Sequence, residues 1–214
     1  MTIKTVLCYG DSLTWGYDAG TLLRHRYEDR WPSVLEAELG NAARVIAEGL
    51  NGRTTAFDDH LAGEDRNGAR LLPTLLGTHM PLDLVIFMLG ANDMKPWIHG
   101  NPLAAQHGMR RLVDIVRGHP WRHAAVTPKI IIVSPPPLSR TANAEFTEMF
   151  AGGDAASRRL APLYAALAEE YDLGFFDAGM VAKTTPLDGV HLDAENTRAI
   201  GKALAPLVRG MLAL

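Results

Sequence analysis

Leu84-Val85-Ile86-Phe87-Met88-Leu89 runs without a polar residue and stops at the turn-forming Gly90-Ala91-Asn92-Asp93. A run this short, unbroken by polar positions, suits a strand covered on both faces. Ile130-Ile131-Ile132-Val133 is a second such run and ends at Ser134-Pro135-Pro136-Pro137. Working outward, Thr5–Tyr9, Arg44–Ala47 and Gly174–Phe176 read as further strands. Between them, apolar residues recur at helical spacing over about Trp31–Leu39, Ala69–Leu76, Pro102–Arg117, Ala155–Tyr171 and Ala194–Leu212. Strands alternating with helices predict an α/β fold: a mostly parallel five-stranded sheet with right-handed crossovers.

The last helix is the best marked. Asp193 stands at its cap position, and Ile200, Leu204, Leu207, Val208 and Met211 share one face. Pro206 predicts a kink or a break there, and Pro162 suggests that the preceding helix begins near it. Asp18–Arg30, rich in charge, and Ser134–Gly153 read as long loops, which in a compact domain usually carry function.

The 214 residues fit one domain, 1–214, with no internal linker. Hydrophobic residues at 47% against charged residues at 21% indicate a packed core rather than disorder. A net charge of −3 without a Lys/Arg patch argues against nucleic acid as a partner. The single cysteine, Cys8, excludes an intrachain disulfide and lies in an apolar run that predicts burial. Neither a Gly-x-Gly-x-x-Gly nor a Walker-type phosphate loop is present, and no cofactor or metal is expected. No apolar run approaches the ~20 residues of a membrane helix. Val6–Tyr9 is too short for a signal-peptide core, so a cytoplasmic location without a membrane partner is expected.

Parallel sheets bind ligands beyond the carboxyl ends of their strands. Four of the five predicted strands lead there into polar turns: Gly10-Asp11-Ser12-Leu13, Gly49-Leu50-Asn51-Gly52, Gly90-Ala91-Asn92-Asp93, and, by way of Asp177, Asp188-Gly189-Val190-His191. Ser12 is either a plain helix cap or a nucleophile, and as a nucleophile it needs a base. His191 has an aspartate, Asp188, three residues before it, close enough to orient the ring. None of His25, His60, His79, His99, His107, His119 and His123 has one at that spacing. Asn92 offers a side-chain amide, and Gly52 and Ser12 offer backbone N–H groups, for an oxyanion; taken singly, each reads as an ordinary turn residue. Trp15, Phe57, Trp97 and Phe150 fall near strand ends, where they either line a small acyl or aryl pocket or simply pack. Asp11 and Asp93 flank these positions as hydrogen-bonding supports.

Taken together and in this order, the four blocks resemble those of the SGNH (GDSL) hydrolase superfamily, named for its Ser, Gly, Asn and His. The resemblance covers residues 10 to 191. It implies a flavodoxin-like three-layer α/β/α sandwich and metal-free esterase chemistry. By position, Ser12, Asp188 and His191 become the catalytic triad, and Ser12, Gly52 and Asn92 the oxyanion hole. The nucleophile elbow of α/β-hydrolases is different: it has glycine two residues after the serine, where this chain has Thr14. Gly10–Gly16, Arg53-Thr54-Thr55, Ser134–Leu138 and Phe176–Gly179 further resemble the bacterial arylesterase/acyltransferase branch. That branch implies short acyl esters as substrates, acyl transfer to alcohols, and assembly into octamers. A homo-oligomer is expected also because Phe146, Met149 and Phe150 lie in or beside a long loop that needs cover. Two rival readings are a carbohydrate O-deacetylase and a flavodoxin-like binding module without turnover.

Overall fold

The computed structural model describes residues 3–122 and 125–214. His123 lies outside them. In chain order the elements are β1 (Lys4–Gly10), α1 (Ser12–Trp15), β2 (Tyr17–Asp18), β3 (Leu23–Arg24), α2 (Trp31–Leu39), β4 (Ala43–Gly49), α3 (Gly68–His79) and β5 (Leu84–Met88). Then follow α4 (Pro102–Gly118), β6 (Lys129–Ser134), α5 (Ala144–Met149), α6 (Gly153–Ser157), α7 (Leu160–Glu170), β7 (Gly174–Asp177) and α8 (Ala194–Leu212).

Five strands form one parallel sheet in the order β4-β1-β5-β6-β7. The chain starts inside the sheet, at β1, the second strand in the order, and adds β4 on one side of it and β5 on the other. The order therefore reverses around β1, the place where open α/β sheets bind ligands. Successive side chains alternate between two cores. Leu7, Tyr9, Val85, Phe87, Ile130 and Ile132 pack on one face with Leu72, Met109, Leu112 and Tyr164 of α3, α4 and α7. Val6, Cys8, Ile86, Met88, Ile131 and Val133 pack on the other with Trp31, Leu35, Ile200, Leu204 and Val208 of α2 and α8. That is the flavodoxin-like three-layer sandwich, and it explains why β5 and the interior of β6, Ile130–Val133, carry no polar position.

All five predicted strands are present, shifted by at most two residues at an end. Three expectations need correction. Ala155–Tyr171 is not one helix: α6 ends at Ser157 and α7 starts at Leu160. Pro162 then falls in the first turn of α7, where its missing N–H has no intrahelical acceptor to lose. Pro206 neither breaks α8 nor ends it, since the helix continues to Leu212. The two long loops are partly ordered. Asp18–Arg30 takes in most of a small antiparallel hairpin, Tyr17–Asp18 with Leu23–Arg24. Ser134–Gly153 contains α5, whose first turn is capped by Asn143 accepting from the Phe146 N–H.

Candidate active site

Ser12 opens α1 directly after β1. The carboxylate of Asp11 accepts from the Leu13 N–H at 2.9 Å and so fixes the turn that presents Ser12. Asp188 and His191 stand on the segment between β7 and α8. There Asp188 Oδ1 accepts from the N–H groups of Val190 and His191, both at 2.9 Å. Gly189 makes this turn with φ +74°, and a Cβ there would lie 2.1 Å from the Ser139 carbonyl oxygen. Only glycine fits that close approach. The same neighbour ties the turn down, as Ser139 N–H donates to Gly189 O at 2.9 Å.

The three side chains meet in a line. His191 Nδ1 is 2.6 Å from Asp188 Oδ2, and His191 Nε2 is 2.9 Å from Ser12 Oγ. An ionised carboxylate only accepts, so Nδ1 carries the ring proton and Nε2 is left to accept from the serine hydroxyl. Burial alone would raise the Asp188 carboxyl pKa. The hydrogen bond and charge of His191 and the two backbone donors outweigh it and hold the carboxyl below its usual range. The line can therefore move a proton from Ser12 to His191 while Asp188 stays ionised.

The candidate donors stand at other strand ends of the same cavity. Asn92 follows β5, and its Nδ2 donates to Arg53 O at 3.2 Å and to Asp11 Oδ2 at 3.4 Å. Gly52 follows β4 with φ +81°. Among the described residues, neither the Ser12 N–H nor the Gly52 N–H has a hydrogen-bond acceptor. Asp93 supports the same corner. Its carboxylate accepts from Thr55 N–H at 3.1 Å and from Thr55 Oγ1 at 2.5 Å.

Ser12, Gly52, Asn92 and His191 line one cavity of about 240 Å³. Of the four aromatic residues expected around the pocket, Phe150 is in its wall and the other three are not. Trp15 is half-buried, with the Arg24 guanidinium 4.8 Å from its ring. Phe57 packs edge-on against His99 at 5.0 Å. Trp97 is 46% exposed on the surface. Sequence reasoning missed Tyr17, Asn51, Arg66, Lys95 and Val190, which also line the cavity. Tyr17 lies 4.3 Å, ring to ring, from His191. Phe146 and Met149, expected to need a partner's cover, instead complete the wall with Phe150. Their three- and four-residue spacing was the available signal for a helix with one apolar face.

Among the described residues there is no cluster of His, Cys, Asp or Glu that could hold a metal. No described helix is long and apolar enough to cross a membrane.

Comparisons with known proteins identify the family. The family model for the GDSL-like Lipase/Acylhydrolase family matches residues 8–199. A carbohydrate acetylesterase family member from Sinorhizobium meliloti is 66% identical over 99% of this chain and 100% of its own, with a TM-score of 0.98. The native M. smegmatis aryl esterase is 43% identical over 98% of this chain and 100% of its own, with a TM-score of 0.92. A further carbohydrate acetylesterase from Sinorhizobium meliloti is 41% identical over 97% of this chain and 99% of its own, with a TM-score of 0.91. Comparison with curated proteins gives no match. The chain belongs to the GDSL-like lipase/acylhydrolase family, and with it to the carboxylic ester hydrolases.

Proposed function

We propose that the protein cleaves short-chain acyl esters, acetyl or aryl, through an acyl-enzyme on Ser12. The line Asp188–His191–Ser12 at the cavity wall is the observation that carries this reading. His191 takes the hydroxyl proton as Ser12 Oγ attacks the ester carbonyl. The oxyanion then rests on the N–H groups of Ser12 and Gly52 and on the Asn92 amide. As the tetrahedral intermediate collapses, the carbonyl–alcohol bond breaks, and the alcohol leaves with the proton held by His191. Water, activated by the same imidazole, attacks the acyl-Ser12 ester and returns the free serine. An alcohol in place of water would give a new ester by the same steps, which is acyl transfer.

The names of the relatives favour two leaving groups, the phenol of an aryl ester and the hydroxyl of a sugar that carried the acetyl. Matched panels of aryl acetates and sugar acetates, assayed with wild type and Ser12→Ala, decide between them. Hydrolysis of at least one panel that vanishes in Ser12→Ala is expected. Undiminished hydrolysis by Ser12→Ala would remove Ser12 from the reaction. We further infer a homo-oligomer, supported by Leu22, Leu23 and Tyr27, which stand 71%, 67% and 61% exposed within six residues of chain. A monomeric mass by light scattering would contradict it.

A further inference from the structure

The cavity wall holds two cations, Arg66 and Lys95. Arg66 is occupied: its guanidinium donates to Asp59 at 3.2 Å and to Glu64 at 3.0 and 2.9 Å. Lys95 is not. It is 6% exposed, yet among the described residues its ammonium has no hydrogen-bond acceptor and no carboxylate within 4.0 Å. Its nearest described partners are the rings of Phe150 and Trp97, at 5.7 and 5.9 Å, near the outer limit of a useful cation–π contact.

Nor is its place accidental. The turn Asn92–Met94 sets it: Lys95 N–H donates to Asn92 O at 3.2 Å, and Lys95 O accepts from Ile98 and His99 at 3.0 and 3.1 Å. The residue that supplies the amide and the residue that supplies the ammonium are thus held in one rigid unit. Burial lowers the Lys95 pKa, and the more distant carboxylates of Asp59, Asp11 and Asp93 oppose that shift. A buried ammonium is costly unless its three protons find acceptors. Lys95 is in the wall of the cavity, and its Nζ is not among the fully buried unpaired side-chain atoms of the described residues, so a ligand in the cavity can supply such an acceptor.

We propose that Lys95 determines specificity: its ammonium receives a carboxylate carried by the ester, on the acyl part or on the alcohol part. The proposal rests on the esterase reading above and narrows its substrate class to small anionic esters. A charge-assisted hydrogen bond to a desolvated ammonium is among the stronger contacts a pocket can make, and it discriminates against a neutral isostere.

Two matched pairs separate the two positions of the charge. On the acyl side these are 4-nitrophenyl hydrogen succinate and its methyl ester. On the alcohol side they are 4-acetoxybenzoate and its methyl ester. The readout is the ratio of kcat/KM, anionic over neutral, in wild type, Lys95→Met and Lys95→Arg. In at least one pair, Lys95→Met is expected to lower that ratio about tenfold or more, mainly through KM. Lys95→Arg, which keeps the charge, is expected to retain most of it. The pair that responds shows which part of the ester carries the carboxylate. Ratios unchanged in both pairs, with both substrates slowed alike, would overturn the proposal and leave Lys95 as a counter-charge for the buried aspartates. Absence of any Ser12-dependent hydrolysis in folded wild type would instead overturn the esterase reading beneath it.

Discussion

Ser12 Oγ has no charge and no intrinsic reactivity beyond that of any hydroxyl. On the proposed mechanism its neighbours make the difference, and they were legible because each residue type has only a few uses in such a place. Asp188 and His191, three residues apart, form a self-contained unit, so their pairing could be read without the fold. The donor set was harder to read, since a glycine or an asparagine at a strand end is usually only a turn. Nδ2 of Asn92 donates to Arg53 O at 3.2 Å and to Asp11 Oδ2 at 3.4 Å, so both its protons are engaged, and the longer bond, to Asp11, is the one an oxyanion would replace. Asn92→Ala should lower kcat by about 10²-fold if that amide stabilises the oxyanion. Steady-state kinetics on an activated acetate ester would check this, and a loss below about threefold would remove Asn92 from the role. The pocket residues were the least legible. Trp15, Phe57 and Trp97 follow strand ends in sequence, but the direction of a side chain after a turn is set by tertiary packing. Lys95 gave no periodic signal at all.

At the scale of elements, the sheet was readable because burial on both faces forces continuous apolar runs. The helices were readable where one face recurs, as in α8. Proline was a mixed signal: α7 does begin near Pro162, whereas Pro206 does not break α8, because the rule describes local cost and not what packing can absorb. Pro206 sits on a helix held by Ile200, Leu204 and Val208 against the sheet, and that packing outweighs a missing hydrogen bond. Arg53 joins the strand ends that build the site. Its Nη1 donates to Gly10 O at 2.8 Å and also to Glu48 O, and its own carbonyl accepts from Asn92. Its guanidinium lies 4.1 Å from the Tyr9 ring. Arg53→Met should therefore cost about 2–3 kcal/mol of stability, measured by urea unfolding, together with a fall in kcat. A variant as stable and as active as wild type would show that β1, β4 and Asn92 hold their places without it.

For the whole molecule, the site imposes a stability cost that varies with pH. Asp11 and Asp93 are fully buried, and burial raises both carboxyl pKa values from 3.8 to about 6. The folded state thus holds these protons more tightly than the unfolded chain. Stability from this source is full below the unfolded value and is lost as pH rises through about 6, by about 3 kcal/mol for each carboxyl. Asp188 has the opposite sign, because its lowered pKa adds stability that disappears in acid. A comparison of wild type with Asp93→Asn cancels that contribution. Between about pH 4 and about pH 7, wild type should lose melting temperature relative to the variant; a constant difference would show that Asp93 ionises at no cost. The central claim, a covalent acyl-enzyme on Ser12, has a more direct test. Folded protein turning over p-nitrophenyl acetate is treated with a serine-directed organophosphonate, and the labelled peptide is mapped by mass spectrometry. The account predicts loss of turnover in step with a single label on Ser12. Turnover that survives complete labelling of Ser12, or inactivation with the label on another residue, would contradict it.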